Sequence, residues 1–148
     1  MKTRTLLLLA VGTALAILLA GGVLLFQLSS ESNAVPTFAL GDEAQVGDVT
    51  ITVFGAAPAD GDAGSDLYGV DVELAGVDDP DGLDSIRLVT GDRSLAPLQG
   101  AADGRCAAIT EAAVRCRLDF DTSGSETTSR VVVMRRGDDQ ANWRLPAG

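Results

Sequence analysis

The hydrophobic pattern divides the chain into two unlike parts. From Leu6 to Phe26 the sequence reads LLLLAVGTALAILLAGGVLLF, and Thr13 is its one polar residue. A helix built from this run is apolar on every face, the signature of a segment surrounded by hydrocarbon. Twenty-one residues rise about 31 Å, against a bilayer core of about 30 Å. After residue 36 no sustained helical period appears, and apolar positions alternate with polar ones instead. That alternation is the mark of a strand with one face buried.

Three strands stand out. In Val49-Thr50-Ile51-Thr52-Val53, valine and isoleucine alternate with threonine. In Tyr68–Leu74, Tyr68, Val70, Val72 and Leu74 are expected to face inward, with Asp71 and Glu73 outward. Val114–Phe120 repeats the pattern with its arginines outward. Shorter candidates are Phe38–Leu40, Ile86–Val89, Ser94–Leu98, Arg105–Ile109, Val131–Met134 and Trp143–Leu145. Turn dipeptides separate them: Gly47-Asp48, Asp60-Gly61, Asp81-Gly82, Gly91-Asp92 and Gly137-Asp138. Seven or more short strands without a helical pattern predict an all-β, antiparallel β-sandwich. The division is then residues 1–28 as a cytoplasmic tip and transmembrane helix, 29–36 as a polar linker, and 37–148 as the sandwich domain.

Charge orients the first part. Lys2 and Arg4 precede the apolar run, and no cation follows it before the domain. The positive-inside rule puts the N-terminus in the cytoplasm and the domain outside the cell membrane. The alternative is a long signal peptide cut after Ser32-Asn33-Ala34, which would release a secreted domain. No cysteine stands directly after the run, so a lipid anchor is not expected. Gly12, Ala16 and Ala20 recur every four residues, a spacing that permits a weak homodimer through the helix.

Composition narrows the chemistry. The 148-residue chain has a net charge of −10, with 11 cationic and 21 acidic residues. Setting aside Lys2 and Arg4, the rest of the chain holds nine arginines against those 21 acids, a net −12, and no lysine. Such a surface repels phosphate backbones, so nucleic acid is not an expected partner. The chain lacks histidine, which removes Ser-His-Asp and Cys-His catalysis and most zinc sites. No motif singles out a carboxylate acid–base pair either. An enzyme is not expected.

Candidate functional residues remain. Cys106 and Cys116, the two cysteines, flank AAITEAAVR. A turn at Thr110-Glu111-Ala112 would make them cross-strand neighbours, and an exported compartment favours a structural disulfide. Two acidic loops, Asp60–Asp66 and Asp78–Asp84, raise the question of calcium, with Asp79, Asp81 and Asp84 around Gly82 the better candidate ligand set. Neither loop matches an EF-hand, and solvated turns select the same residues. Arg115 and Arg117 on one strand, with Arg135 and Arg136 on another, form a candidate partner-binding cluster. Trp143, beside Arg144, is either a contact anchor or the closure of one end of the core.

Taken in order, "VGDVTITVFGA", "LYGVDVELAGVDD", "LDSIRLVTGDRS", "RCAAITEAAVRCRLDF" and "VVVMRRGDDQANWRL" resemble the telokin-like domains of bacterial lipoproteins and anchored proteins. That family is of unknown function. The resemblance spans roughly residues 37 to 145 and implies an immunoglobulin-like sandwich. Ten positions separate the cysteines, too few for the inter-sheet bridge of antibody domains. The expected role is a non-catalytic extracytoplasmic binding or interaction domain. The alternative is a structural or weakly calcium-binding subunit of an envelope complex. The expected partner is an envelope protein, and no cofactor is expected apart from the calcium candidate.

Overall fold

The computed structural model describes residues 2–30, 35–60 and 65–146. It separates into two compact units, Met1–Ala34 and Val35–Gly148. The first is a single helix, α1 (Lys2–Ser30), whose described side chains are all exposed. Lys2–Gln27 is long and apolar enough to cross a membrane. The proposed cleavage site Ser32-Asn33-Ala34 lies outside the described residues.

The second unit is a sandwich of two sheets. Its strands are β1 (Thr37–Phe38), β2 (Glu43–Val46), β3 (Val49–Asp60), β4 (Asp66–Ala75), β5 (Ile86–Thr90), β6 (Arg93–Leu95), β7 (Val114–Asp121), β8 (Val131–Arg136) and β9 (Asp139–Arg144). One sheet has the order β1-β9-β8-β5-β6, the other β2-β3-β4-β7. All pairs are antiparallel except β1 on β9, which is parallel.

Alternation builds the core. Tyr68, Val70, Val72 and Leu74 of β4 are buried, as are Val49, Ile51 and Val53 of β3. The other sheet contributes Ile86, Leu88, Val132, Met134 and Trp143. Trp143 is fully buried and stacks on Phe38 at 5.6 Å between ring centroids. It therefore closes the core and is not a surface anchor. Burying both sheets' inner faces supplies the domain's main stabilisation.

Several strand boundaries differ from the pattern reading. β2 was hidden because its inward residues, Ala44 and Val46, alternate with Glu43 and Gln45 over only four positions. It pairs with β3 across Gly47-Asp48, where Gly47 takes φ +61°, a conformation a two-residue hairpin turn demands. Ser94–Leu98 shrinks to Arg93–Leu95. Arg105–Ile109 is not a strand: it makes two isolated bridges, Arg105 parallel to Arg117 and Ile109 to Asp79. The cysteines therefore do not face each other across a hairpin. A bulge at Phe54/Gly55 shifts the β3–β4 register, after which β3 runs on past the end of β2.

The Trp143→Ala variant is expected to lose about 3–5 kcal/mol of unfolding free energy, the usual cost of emptying a buried aromatic site. Urea denaturation followed by circular dichroism measures it.

Candidate functional site

β7 carries the sharpest departure from simple alternation. Asp119 shares the outer face of its sheet with Arg115 and Arg117, yet it is 1% exposed. The segment between β6 and β7 folds over it. Leu98 N–H donates to the Asp119 carbonyl at 2.7 Å, and Cys106 N–H to the Arg117 carbonyl at 2.9 Å. Arg117 N–H donates to Gly104 at 2.7 Å. The Cys106–Cys116 disulfide, with Cα atoms 5.0 Å apart, fixes the segment covalently to β7.

A buried carboxylate must be paired to stay charged. Arg105 Nε donates to Oδ2 of Asp119 at 2.9 Å, and Arg117 Nε to Oδ1 at 2.7 Å. Arg117 reaches this position by lying across Gly69, where a Cβ would stand 2.8 Å from its Cδ. Burial pushes the Asp119 carboxyl pKa up; the hydrogen bonds and charges of Arg117 and Arg105 outweigh it and hold it below the ordinary 3.8. Donating to the Asp119 carboxylate raises the Arg117 pKa in turn.

The four candidate arginines do not form one cluster. Arg115 and Arg117 lie on the β2-β3-β4-β7 sheet, Arg135 and Arg136 on the other. Arg115 sits over the Phe54 ring at 4.1 Å, a cation–π contact on an exposed face. Arg136 follows Val132 and Met134 in the inward alternation of β8 and links the two sheets. Its Nε donates to Asp48 in the β2–β3 turn at 2.6 Å, and its Nη1 to Asp79 after β4 at 3.0 Å. The Arg136 hydrogen bond is the main cause of a lowered Asp48 pKa. Arg135 is exposed, and its side chain makes no hydrogen bond or ion pair among the described residues. A shallow depression of ≈ 470 Å³ is lined by Gly47, Asp48, Ser85, Arg135, Arg136 and Gly137.

The calcium candidates share one loop without converging. Asp79 Oδ1 accepts from Asp81 N–H at 3.1 Å and its Oδ2 from Arg136, while Asp84 Oδ1 accepts from Gln99 at 3.4 Å. Among the described residues no three acidic, cysteine or histidine side chains are grouped to hold a metal ion. Residues 61–64 of the other acidic loop lie outside the described residues.

Asp119, Arg105 and Phe54 were not singled out by the sequence. An aspartate on an outward strand position reads as solvated. Its one signal was indirect: the long, non-periodic stretch after β6 has to lie against something.

MPT63, a secreted protein from Mycobacterium tuberculosis, aligns over 75% of this chain and 98% of its own, with a TM-score of 0.53 and 18% identity. The likeness is one of fold. An uncharacterized β-sandwich protein from Clostridium difficile 630 aligns over 78% of this chain and 97% of its own, with a TM-score of 0.49 and 8% identity. No protein-family model matches the sequence, and no curated protein does.

The depressed Asp119 pKa sets a pH dependence. Its contribution to stability is fully present above the unfolded value of about 4 and is lost as pH falls through the lower folded value. The stability difference between wild type and Asp119→Asn is therefore expected to shrink between about pH 5 and pH 2. Urea midpoints across that range measure it.

Proposed function

We propose that this protein is a non-catalytic interaction domain held at the outer face of the cell membrane by its N-terminal helix. One observation carries the reading: α1 is apolar on all sides from Leu6 to Phe26 and its described side chains are exposed, while the second unit buries a core of its own. A helix of that kind needs hydrocarbon around it. The cations ahead of it orient the domain outward. The telokin-like resemblance supports an extracytoplasmic domain, and one protein of like fold is secreted. The absence of histidine, and of lysine beyond Lys2, supports a non-catalytic role.

Within this reading the docking place is the depression around Arg135. Arg135 is an exposed guanidinium with no acid paired to it among the described residues, so its donors are free for a partner's carboxylate or carbonyl. Arg136, held by Asp48 and Asp79, supplies a fixed wall. The expected partner is an envelope protein presenting an acidic or carbonyl-rich surface.

Two measurements test the proposal. Alkaline carbonate should leave the full-length protein in the membrane pellet, with the domain open to protease added outside. Release into the supernatant, with a mature N-terminus near residue 35, would establish cleavage instead. A photo-crosslinking residue at Ser85 should capture one recurrent partner in cells. Arg135→Glu should abolish most of that capture while changing stability by no more than about 0.5 kcal/mol. Recovery of the protein alone would refute the interaction role. Amine-reactive crosslinkers are unsuited, because the domain has no lysine.

A further inference from the structure

The edge of β7 is closed by a cover that is not a strand. Leu98, Gly104 and Cys106 occupy its outward backbone groups at Arg117 and Asp119. The disulfide and the Arg105–Asp119 ion pair hold that cover in place. Beneath it, β7 reads Arg115-Cys116-Arg117-Leu118-Asp119-Phe120-Asp121. The charges are antisymmetric about Leu118.

That sequence suits antiparallel pairing with itself. A two-fold axis at Leu118 sets Arg115 opposite Asp121 and Arg117 opposite Asp119 of a second copy. Arg117 and Asp119 both direct backbone groups to this edge, so they fall in the hydrogen-bonded positions of an antiparallel ladder. On the other face, Cys116 meets Phe120 and Leu118 meets its own copy. Every cross-strand pair is then either opposite in charge or apolar, the pairing that stabilises sheets. The same patch meets itself, as a two-fold interface requires.

We propose that the Cys106–Cys116 disulfide is a latch on this edge, and that reducing it lets two copies of the chain pair through β7. A dithiol reductant supplies two electrons and two protons. The S–S bond breaks, thiols form at Cys106 and Cys116, and the reductant leaves as its own disulfide. Segment 98–106, no longer tied to β7, lifts off. Asp119 exchanges its bond with Arg105 for one with Arg117 of the second copy. The two four-stranded sheets join into one. This is independent of the depression around Arg135, whose lining includes no residue of β7 or of segment 98–106.

The test uses the full chain in detergent micelles. Sedimentation is compared for oxidised wild type, wild type reduced with dithiothreitol, and Cys106→Ser/Cys116→Ser. Oxidised wild type in the same micelles measures any association through the helix. The reduced and serine forms are expected to dimerise beyond that baseline, with faster amide exchange at Gly104–Cys106. In the reduced form Arg115→Asp should raise the dimer dissociation constant roughly tenfold by placing like charges opposite each other, and adding Asp121→Arg should restore it to within about threefold. If the serine pair fails to fold, dithiothreitol-treated wild type carries the test. A reduced chain that associates no more than the oxidised one overturns the proposal. So does a dimer indifferent to Arg115→Asp, or one that Asp121→Arg does not restore.

Discussion

Backbone hydrogen bonding at the sheet edges governs much of this domain. Side-chain alternation settles the two inner faces, but an open sheet leaves a row of amides and carbonyls at each side. Here each edge is treated differently. β1 and β6 are only two and three residues long. The part of β3 that outruns β2 carries Pro58, which has no N–H to offer another chain. β7, eight residues long, is the edge most in need of a cover. The whole segment from Leu98 to Cys106, the disulfide and the ion pairs of Asp119 follow from that need.

Covering β7 places a carboxylate out of water. The chain offsets this with guanidinium groups, each of which presents several donors in a fixed fork. Arg105 takes Oδ2 of Asp119, Arg117 spans both of its oxygens, and Arg136 divides itself between Asp48 and Asp79. A lysine ammonium would be a poorer substitute at either place. The domain's exclusive use of arginine agrees with these geometries, although Arg135 and Arg144 are exposed and need no such explanation.

The sequence was most informative where one face is buried and the other wet. Tyr68–Leu74 read correctly residue by residue because each inward side chain is large and apolar. β2 did not, since Ala44 contributes too little to an alternating signal. Asp119 could not be read, because its burial comes from a loop whose path depends on backbone bonds between distant residues. Arg115, Arg117, Arg135 and Arg136 looked like one patch when taken from strand patterns. Which sheet a strand joins is decided by pairing order, and local pattern does not carry that information. The same limit applies to Asp79: its spacing to Asp81 and Asp84 suggested a ligand set, but Arg136 arrives from 57 positions away.

The parallel pairing of β1 with β9 has a mechanical side. Thr37 lies beside Asn142 and Phe38 beside Trp143, with the two strands running in the same direction. Tension drawn between the chain ahead of Thr37 and the chain beyond Arg144 would slide these strands past each other. Bonds loaded in this way resist together, whereas an antiparallel pair pulled from its open end would peel one bond at a time. The stacked Phe38 and Trp143 rings would have to shear in the same movement. The shortest strand in the domain thus lies where a pulling force would first be felt.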